Sequence, residues 1–171
     1  MRYDMLETDR LRLRPYRLED FRFYVYLWQD PDVVRYIGNG QPRSKADLKA
    51  NYPYWVSKSE LGKGILLMEL RDSCKPVGHA GLLPQVVDGQ EQLEIGYWVA
   101  KEHWGKGYAS ETAALCRDVA FKQLGVPRVI SIIQPENIRS IRVAEKTGMR
   151  FHHATEFHGI PVHIFAMENP F

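Results

Sequence analysis

With 171 residues, 44% hydrophobic and 26% charged, the chain has the size and make-up of one compact domain with a buried core, and not of a disordered segment. Its 23 Lys and Arg against 21 Asp and Glu leave a formal charge of +2, a balance that excludes strong non-specific attraction to nucleic acid or to an anionic membrane. The two cysteines, Cys74 and Cys116, stand far apart with no CxxC pair, so neither a zinc site nor a redox motif is indicated.

The first residues, Met1–Met5, mix charged and apolar side chains without a signal-peptide core. No apolar run approaches the roughly 18–20 residues of a membrane span. The expectation is a cytoplasmic protein, with monomer and homodimer both open. In chain order, Arg10–Arg14 alternates basic and leucine side chains, the period of a half-buried strand, and Pro15 ends it. Leu18–Trp28 has Phe21, Val25 and Trp28 on one helical face. Asp30-Pro31-Asp32 stops that helix, because the residue before a proline is pushed out of the helical region. After the glycine-containing loop Ile37–Pro42, Ser44–Ser57 reads as a second helix with Ser44 as its N-cap. Pro53 inside it predicts a kink or a split.

Ile65–Leu70, Pro76–Leu83 and Leu93–Ala100 are strand-like, with a turn at Val87–Gln90. A glycine turn then leads into Ala109–Leu124 at helical period, where Cys116 reads as a buried free thiol. Val129–Ile133 is a short β-branched strand, and Asn137–Thr147 is a helix closed by Gly148. Phe151–Phe157 and Val162–Met167 form a final hairpin around His158–Pro161. The antiparallel run before the later helices argues for a mixed sheet over a fully parallel one.

The stretch Leu93–Glu111 carries the most chemical information. It reads strand, glycine turn, helix. The first N–H groups of a helix point outward with partial positive charge, and a phosphate can collect several of them. A Walker loop needs Gly-Lys-Ser/Thr, which this chain lacks. A dinucleotide fingerprint needs a third glycine, and Gly105-Lys106-Gly107-Tyr108-Ala109-Ser110 has none. Trp104-Gly105-Lys106-Gly107-Tyr108-Ala109 resembles the coenzyme A turn of the GNAT N-acetyltransferases at all but its first position. Ile95-Gly96-Tyr97-Trp98 before the turn, Pro135-Glu136-Asn137-Ile138-Arg139-Ser140 after it, and Val143–Met149 are also similar to that family. Near the N-terminus, Thr8–Arg14 and Asp30–Tyr36 look like the subgroup of ribosomal-protein N-terminal acetyltransferases.

The resemblance implies an α+β (mixed α/β) fold over residues 1–171 as a single domain. A central, mostly antiparallel twisted sheet of about seven strands would be splayed at the cofactor site and covered by about four helices. It implies acetyl-coenzyme A as co-substrate, no metal, and a small-molecule or peptide amine as acceptor. The cofactor would touch Trp104, Gly105, Lys106, Gly107, Tyr108, Ala109, Asn137 and Ser140, with a backbone N–H near Trp98 or Val99 polarising the thioester carbonyl. An amine attacking directly needs its proton removed, and Glu94 is the candidate base. A solvated or ion-paired strand carboxylate is an equal reading of Glu94. Many relatives carry a Tyr seven residues after the Asn; here that position is Ala144. Ser140 is then either a hydroxyl that assists the leaving thiolate or a small residue required by packing.

Phe21, Tyr24 and Trp28 at helical spacing read as core, whereas Tyr36, Tyr54 and Trp55 are candidates for lining an acceptor groove. His152, His153, His158 and His163 cluster near the C-terminus, but neighbouring residues of a strand face opposite ways and no ligand spacing is present. Two other readings compete: a non-catalytic acyl-coenzyme A sensor, and a Rossmann-like oxidoreductase, which the missing third glycine disfavours.

Overall fold

A computed structural model describes residues 5–171; the first four residues, part of the stretch without a signal-type core, lie outside the described residues. The strands are β1 (Leu6–Glu7), β2 (Leu11–Arg14), β3 (Gly64–Leu70), β4 (Pro76–Val87), β5 (Gln90–Val99), β6 (Arg128–Ile133), β7 (Arg150–Phe157) and β8 (Ile160–Glu168). The helices are α1 (Phe21–Gln29), α2 (Pro31–Val34), α3 (Lys45–Glu60), α4 (Tyr108–Asp118) and α5 (Ile138–Lys146). They build the expected mixed α/β fold, with one strand and one helix more than the periodicity showed. The extra strand, β1, is only two residues long, too short for a period to appear. The extra helix, α2, starts at the proline expected to end α1. Pro31 occupies the first helical turn, where its missing N–H costs nothing, and Asp30 caps it by accepting from Asp32 N–H at 2.9 Å. Pro53 does not split α3, which runs unbroken from its Ser44 cap.

All eight strands join one sheet in the order β1-β2-β3-β4-β5-β6-β8-β7. Every neighbouring pair is antiparallel except β5–β6, which is parallel and in register at a single pair, Glu94 with Ile130. Beyond that pair the strands part. Ser131 Oγ donates to Ile95 O at 2.9 Å, so a side chain replaces the ladder at the point of parting. From there to Val99, β5 is paired only on its β4 side.

Strand alternation gives β5 two chemically different faces. Leu93, Ile95, Tyr97 and Val99 pack with Ala113 and Cys116 of α4 and Ala144 of α5. Trp98 packs toward Tyr24 and Trp28 of α1 and Leu48, Tyr52 and Val56 of α3. Cys116 is buried and its thiol is pushed up to about 12 by desolvation, in keeping with a structural cysteine. The end of α4 widens into a π-turn over Val119–Gln123, closed by Leu124 N–H donating to Val119 O at 3.0 Å. No helix among the described residues is long and apolar enough to cross a membrane.

The histidine pair departs from simple alternation. A register shift between Phe151 and His153 puts both rings on one side, with His152 Nδ1 and His153 Nδ1 sharing a hydrogen bond of 2.7 Å. His153 Nε2 then meets Asp88 Oδ2 at 2.7 Å.

The Ser131 hydroxyl is the pin at the point of parting. Ser131→Ala should leave the buried Ile95 carbonyl unpaired and cost about 1–3 kcal/mol in urea unfolding. An unchanged midpoint would mean that other contacts hold the strands apart.

Candidate active site

The opening between β5 and β6 is bounded by main chain on one side. Ala100 N–H donates to Val77 O at 2.8 Å, so the polar groups of even-numbered residues at this end of β5 face β4. A Cβ built on Gly78 would lie 2.2 Å from Trp98 O, which fixes the Trp98 carbonyl on the β4 side as well. Alternation turns the main-chain groups of Tyr97 and Val99 the other way, toward the opening. Of the two expected backbone donors, Val99 therefore faces the gap and Trp98 does not. Trp98 instead offers its side chain to the α1 face, where its ring lies 5.1 Å from that of His79 and 6.2 Å from that of Trp28.

The glycine turn follows directly. Trp104 Nε1 donates to Val99 O at 2.7 Å and ties the turn to the end of β5. The Arg139 guanidinium stacks 4.4 Å over the Trp104 ring, joining the turn to the start of α5. Gly105 and Gly107 have φ of +78° and +83°, a region where a Cβ is strained, and Gly107 is the N-cap of α4. No side chain caps α4 among the described residues, so its first N–H groups are left as a cradle of the kind that takes an anion. Lys106 is exposed at the tip, while Tyr108 and Ala109 are half-buried beneath it.

Arg10, which the sequence reading passed over, stands beside this cradle. Its guanidinium pairs with Glu111 at 2.6 Å and lies 4.7 Å over the Tyr108 ring. A Cβ on Gly107 would be 3.4 Å from Arg10 Nη2. Arg10 and Glu111 are 101 positions apart in sequence, and no local pattern announces that pairing.

On the α5 side, Asn137 caps the helix by accepting from Ser140 N–H at 3.3 Å. That bond uses Oδ1 and leaves the amide Nδ2 unspent by the cap. Ser140 meets a second residue missed in the sequence. Tyr97 Oη donates to Ser140 O at 3.0 Å and lies 3.0 Å from Ser140 Oγ. Burial pushes the Tyr97 phenol up to about 12, against the opposing hydrogen bond to Ser140. Ala144, at the position where relatives often carry Tyr, is fully buried in the α4–α5 core. The signal for Tyr97 was its parity: one hydroxyl on the otherwise apolar face of Leu93, Ile95 and Val99.

Glu94 sits on the opposite face, at the one registered β5–β6 pair. It is buried, not solvated, and no cation pairs with it among the described residues. Gln85 Nε2 donates to its Oε2 at 2.8 Å. Burial raises its pKa from 4.5 to about 7, and the Gln85 amide and Ile132 N–H oppose that rise without cancelling it. The carboxyl is thus near half-ionised at neutral pH. Opposite Trp98 on β4, His79 shares a 2.8 Å hydrogen bond with Tyr16 Oη, and desolvation lowers its pKa to about 3, so it stays neutral. Of the residues expected to line an acceptor groove, Tyr54 is exposed and packs edge-on against Trp55, and Trp55 joins the cluster that Trp98 also packs on.

The family model described as an acetyltransferase (GNAT) domain matches residues 10–150. The chain belongs to the GNAT acetyltransferase family. The Bacillus subtilis protein YkkB, itself uncharacterized, is 36% identical over 149 residues, which is 85% of each chain. A GNAT-family acetyltransferase from Bacillus anthracis superposes with a TM-score of 0.79 at 27% identity, covering 96% of this chain and 98% of that one. The spermidine N-acetyltransferase of Vibrio cholerae, solved with CoA and spermine, gives a TM-score of 0.77 at 19% identity over 95% and 97% of the two chains. At that identity it shares the fold alone, as do ribosomal-protein acetyltransferases at 14% identity. This GNAT chain is an acetyltransferase enzyme, with a glycine turn on one side of a parted sheet and a buried carboxyl on the other.

The Glu94 shift has a consequence for stability. Its folded pKa lies above its unfolded value, so its contribution is fully present below about pH 4.5 and is lost as pH rises through about 7. Between pH 5 and pH 8 the wild type should lose stability relative to Glu94→Gln, read as the difference between their urea midpoints. Parallel pH dependences would contradict a raised Glu94 pKa.

Proposed function

We propose that this GNAT acetyltransferase moves an acetyl group from acetyl-coenzyme A to a primary amine on a peptide N-terminus or a small molecule, by direct attack within a ternary complex. The observation that carries the reading is the buried Glu94 at the edge of the opening, with no cation beside it among the described residues and on the face away from the glycine turn. A cofactor whose pyrophosphate rests on the Gly105–Ser110 main chain approaches from the α4–α5 face. An amine approaching from the α1 face meets Glu94.

In this reading the N–H groups of Tyr108, Ala109 and Ser110 hold the pyrophosphate, with Arg10 and Lys106 adding positive charge nearby. The Val99 N–H faces the thioester oxygen and stabilises the negative charge that develops there. The acceptor attacks as the neutral amine, and Glu94 takes the proton that its nitrogen sheds as the new C–N bond forms, directly or through one water. The coenzyme A thiol leaves without a covalent enzyme intermediate. Cys116 is too buried and too basic to act as a nucleophile.

The choice among acceptors rests on charge. A polyamine site needs several free carboxylates. Of the acidic residues near α2, Asp30 is spent on the helix cap and Asp32 pairs with Lys101 at 2.5 Å. Arg43 lies 4.5 Å over the Trp28 ring and occupies a face that an acceptor cation would use. Toward the Trp98 end of the same face, Trp28, His79 and Trp98 line an aromatic, uncharged surface, which suits a single amine better than a polycation. The spermine-bound Vibrio cholerae protein of the same fold keeps a polyamine as the second reading.

One kinetic series tests the proposal. Wild-type turnover with peptides bearing free Ala or Ser N-termini, simple amines and spermidine should rise with pH through an acid limb near 7. Glu94→Gln should slow it by about 100- to 10,000-fold and remove that limb. Tight acetyl-coenzyme A binding with no turnover on any amine would favour a non-catalytic sensor. A specificity constant for spermidine more than about a hundredfold above every peptide and simple amine would overturn the acceptor assignment.

A further inference from the structure

The proposed reaction leaves a thiolate that must gain a proton, and the helix position used by many relatives for a tyrosine holds buried Ala144. A different tyrosine reaches the same neighbourhood from the strand. Tyr97 extends from β5 on the cofactor face and ends at the first turn of α5, with its oxygen 3.0 Å from both the carbonyl and the hydroxyl oxygen of Ser140. The Ser140 N–H is itself held by Asn137. The phenol is fixed from behind as well: Ser131, the residue that ends the β5–β6 ladder, lies within hydrogen-bonding reach of it. Tyr97 thus bridges β5 to the first turn of α5.

A purely packing role would not need the hydroxyl. Its buried or half-buried neighbours on that face of β5 are Leu93, Ile95 and Val99, all apolar, and Phe would fill the same volume. The Tyr97 and Ser140 hydroxyls are in contact in a part-buried site and form a chain along which a proton can move. The free end of that chain is the Ser140 hydroxyl, because Tyr97 Oη has already spent contacts on Ser140 and Ser131.

We propose that Tyr97 is the proton source for the departing coenzyme A thiolate, relaying through the Ser140 hydroxyl. This rests on the acetyl-transfer reading above. The amine nitrogen bonds to the thioester carbon, and the C–S bond breaks with its electron pair going to sulfur. Ser140 gives its hydroxyl proton to sulfur and takes the phenolic proton of Tyr97. Glu94 receives the proton that the nitrogen sheds as the C–N bond forms, and the phenolate is reprotonated from solvent as Glu94 releases its own; an acceptor that arrives as ammonium first gives one further proton to solvent, the one net proton of the reaction. Burial keeps the phenol protonated across the working pH range. The charged group that reaches it is Glu94, from the opposite face of the same strand.

The test replaces the phenol in two ways. Tyr97→Phe should lower kcat roughly 100-fold, within the range for loss of a general acid, with KM for acetyl-coenzyme A changed less than about threefold. Incorporating a trifluorotyrosine at position 97 makes the phenol more acidic while keeping the ring. It should bring an alkaline limb into the kcat profile that wild type lacks, and the same analogue at exposed Tyr54 should not. Circular dichroism across the pH range separates this limb from unfolding. A Tyr97→Phe kcat within about threefold of wild type, or no new limb with the analogue, overturns the relay while leaving acetyl transfer intact. A wild type with no turnover overturns both.

Discussion

Two parallel strands that begin to pair and then stop define this molecule. β5 and β6 are in register only at Glu94 and Ile130, and the next ladder position is taken by the Ser131 hydroxyl on Ile95 O. A parallel ladder normally spends the main-chain groups of both strands. Ending it early leaves the end of β5 with peptide groups turned toward a gap inside the sheet. Such groups are costly unless something binds them. The Trp104 indole satisfies one, the Val99 carbonyl, and in doing so draws the glycine turn to the mouth of the gap. The cradle of α4, the start of α5 and the parted strands are positioned by that single interruption.

The sheet also keeps incompatible chemistry apart. In the proposed reaction a carboxyl accepts a proton and hydroxyls supply one, and the two would quench each other if they met. Here alternation along one strand puts Glu94 and Tyr97 three residues apart on opposite faces, each in its own surroundings. Glu94 is held by an amide and a peptide N–H, with no cation to pull its pKa back down. Tyr97 is held by serine oxygens and stays a neutral donor. Burial raises both pKa values, but the consequences differ. It turns a weak carboxylate base into one poised near neutrality, and it keeps a phenol from ionising at all.

Much of this was legible locally. The Arg10–Arg14 alternation, the Ser44 cap, the strand–glycine–helix order at Leu93–Glu111 and the Asn137 cap all depend on residues within a few positions of one another. Glu94 was legible as a carboxylate on a strand, but its burial depended on Gln85 of β4 and Ile132 of β6. What stayed hidden was non-local or defied simple alternation. Arg10 reaches the cradle through a partner 101 residues away. Tyr97 meets Ser140 across 43 residues. A bulge rather than strand parity decides where His152 points, and Pro31 begins a helix because Asp30 caps it.

The central claim is that the gap after Glu94–Ile130 and the uncapped start of α4 receive the cofactor through main-chain N–H groups. Residue-resolved amide hydrogen exchange with and without saturating coenzyme A tests it most directly. The account predicts slowed exchange at Val99 and at Tyr108–Ser110, with no change at the distant hairpin residues Thr155–Phe157. Unchanged exchange at Val99 and Tyr108–Ser110 under conditions where calorimetry shows coenzyme A bound, or protection confined to α1 and α3, would contradict it.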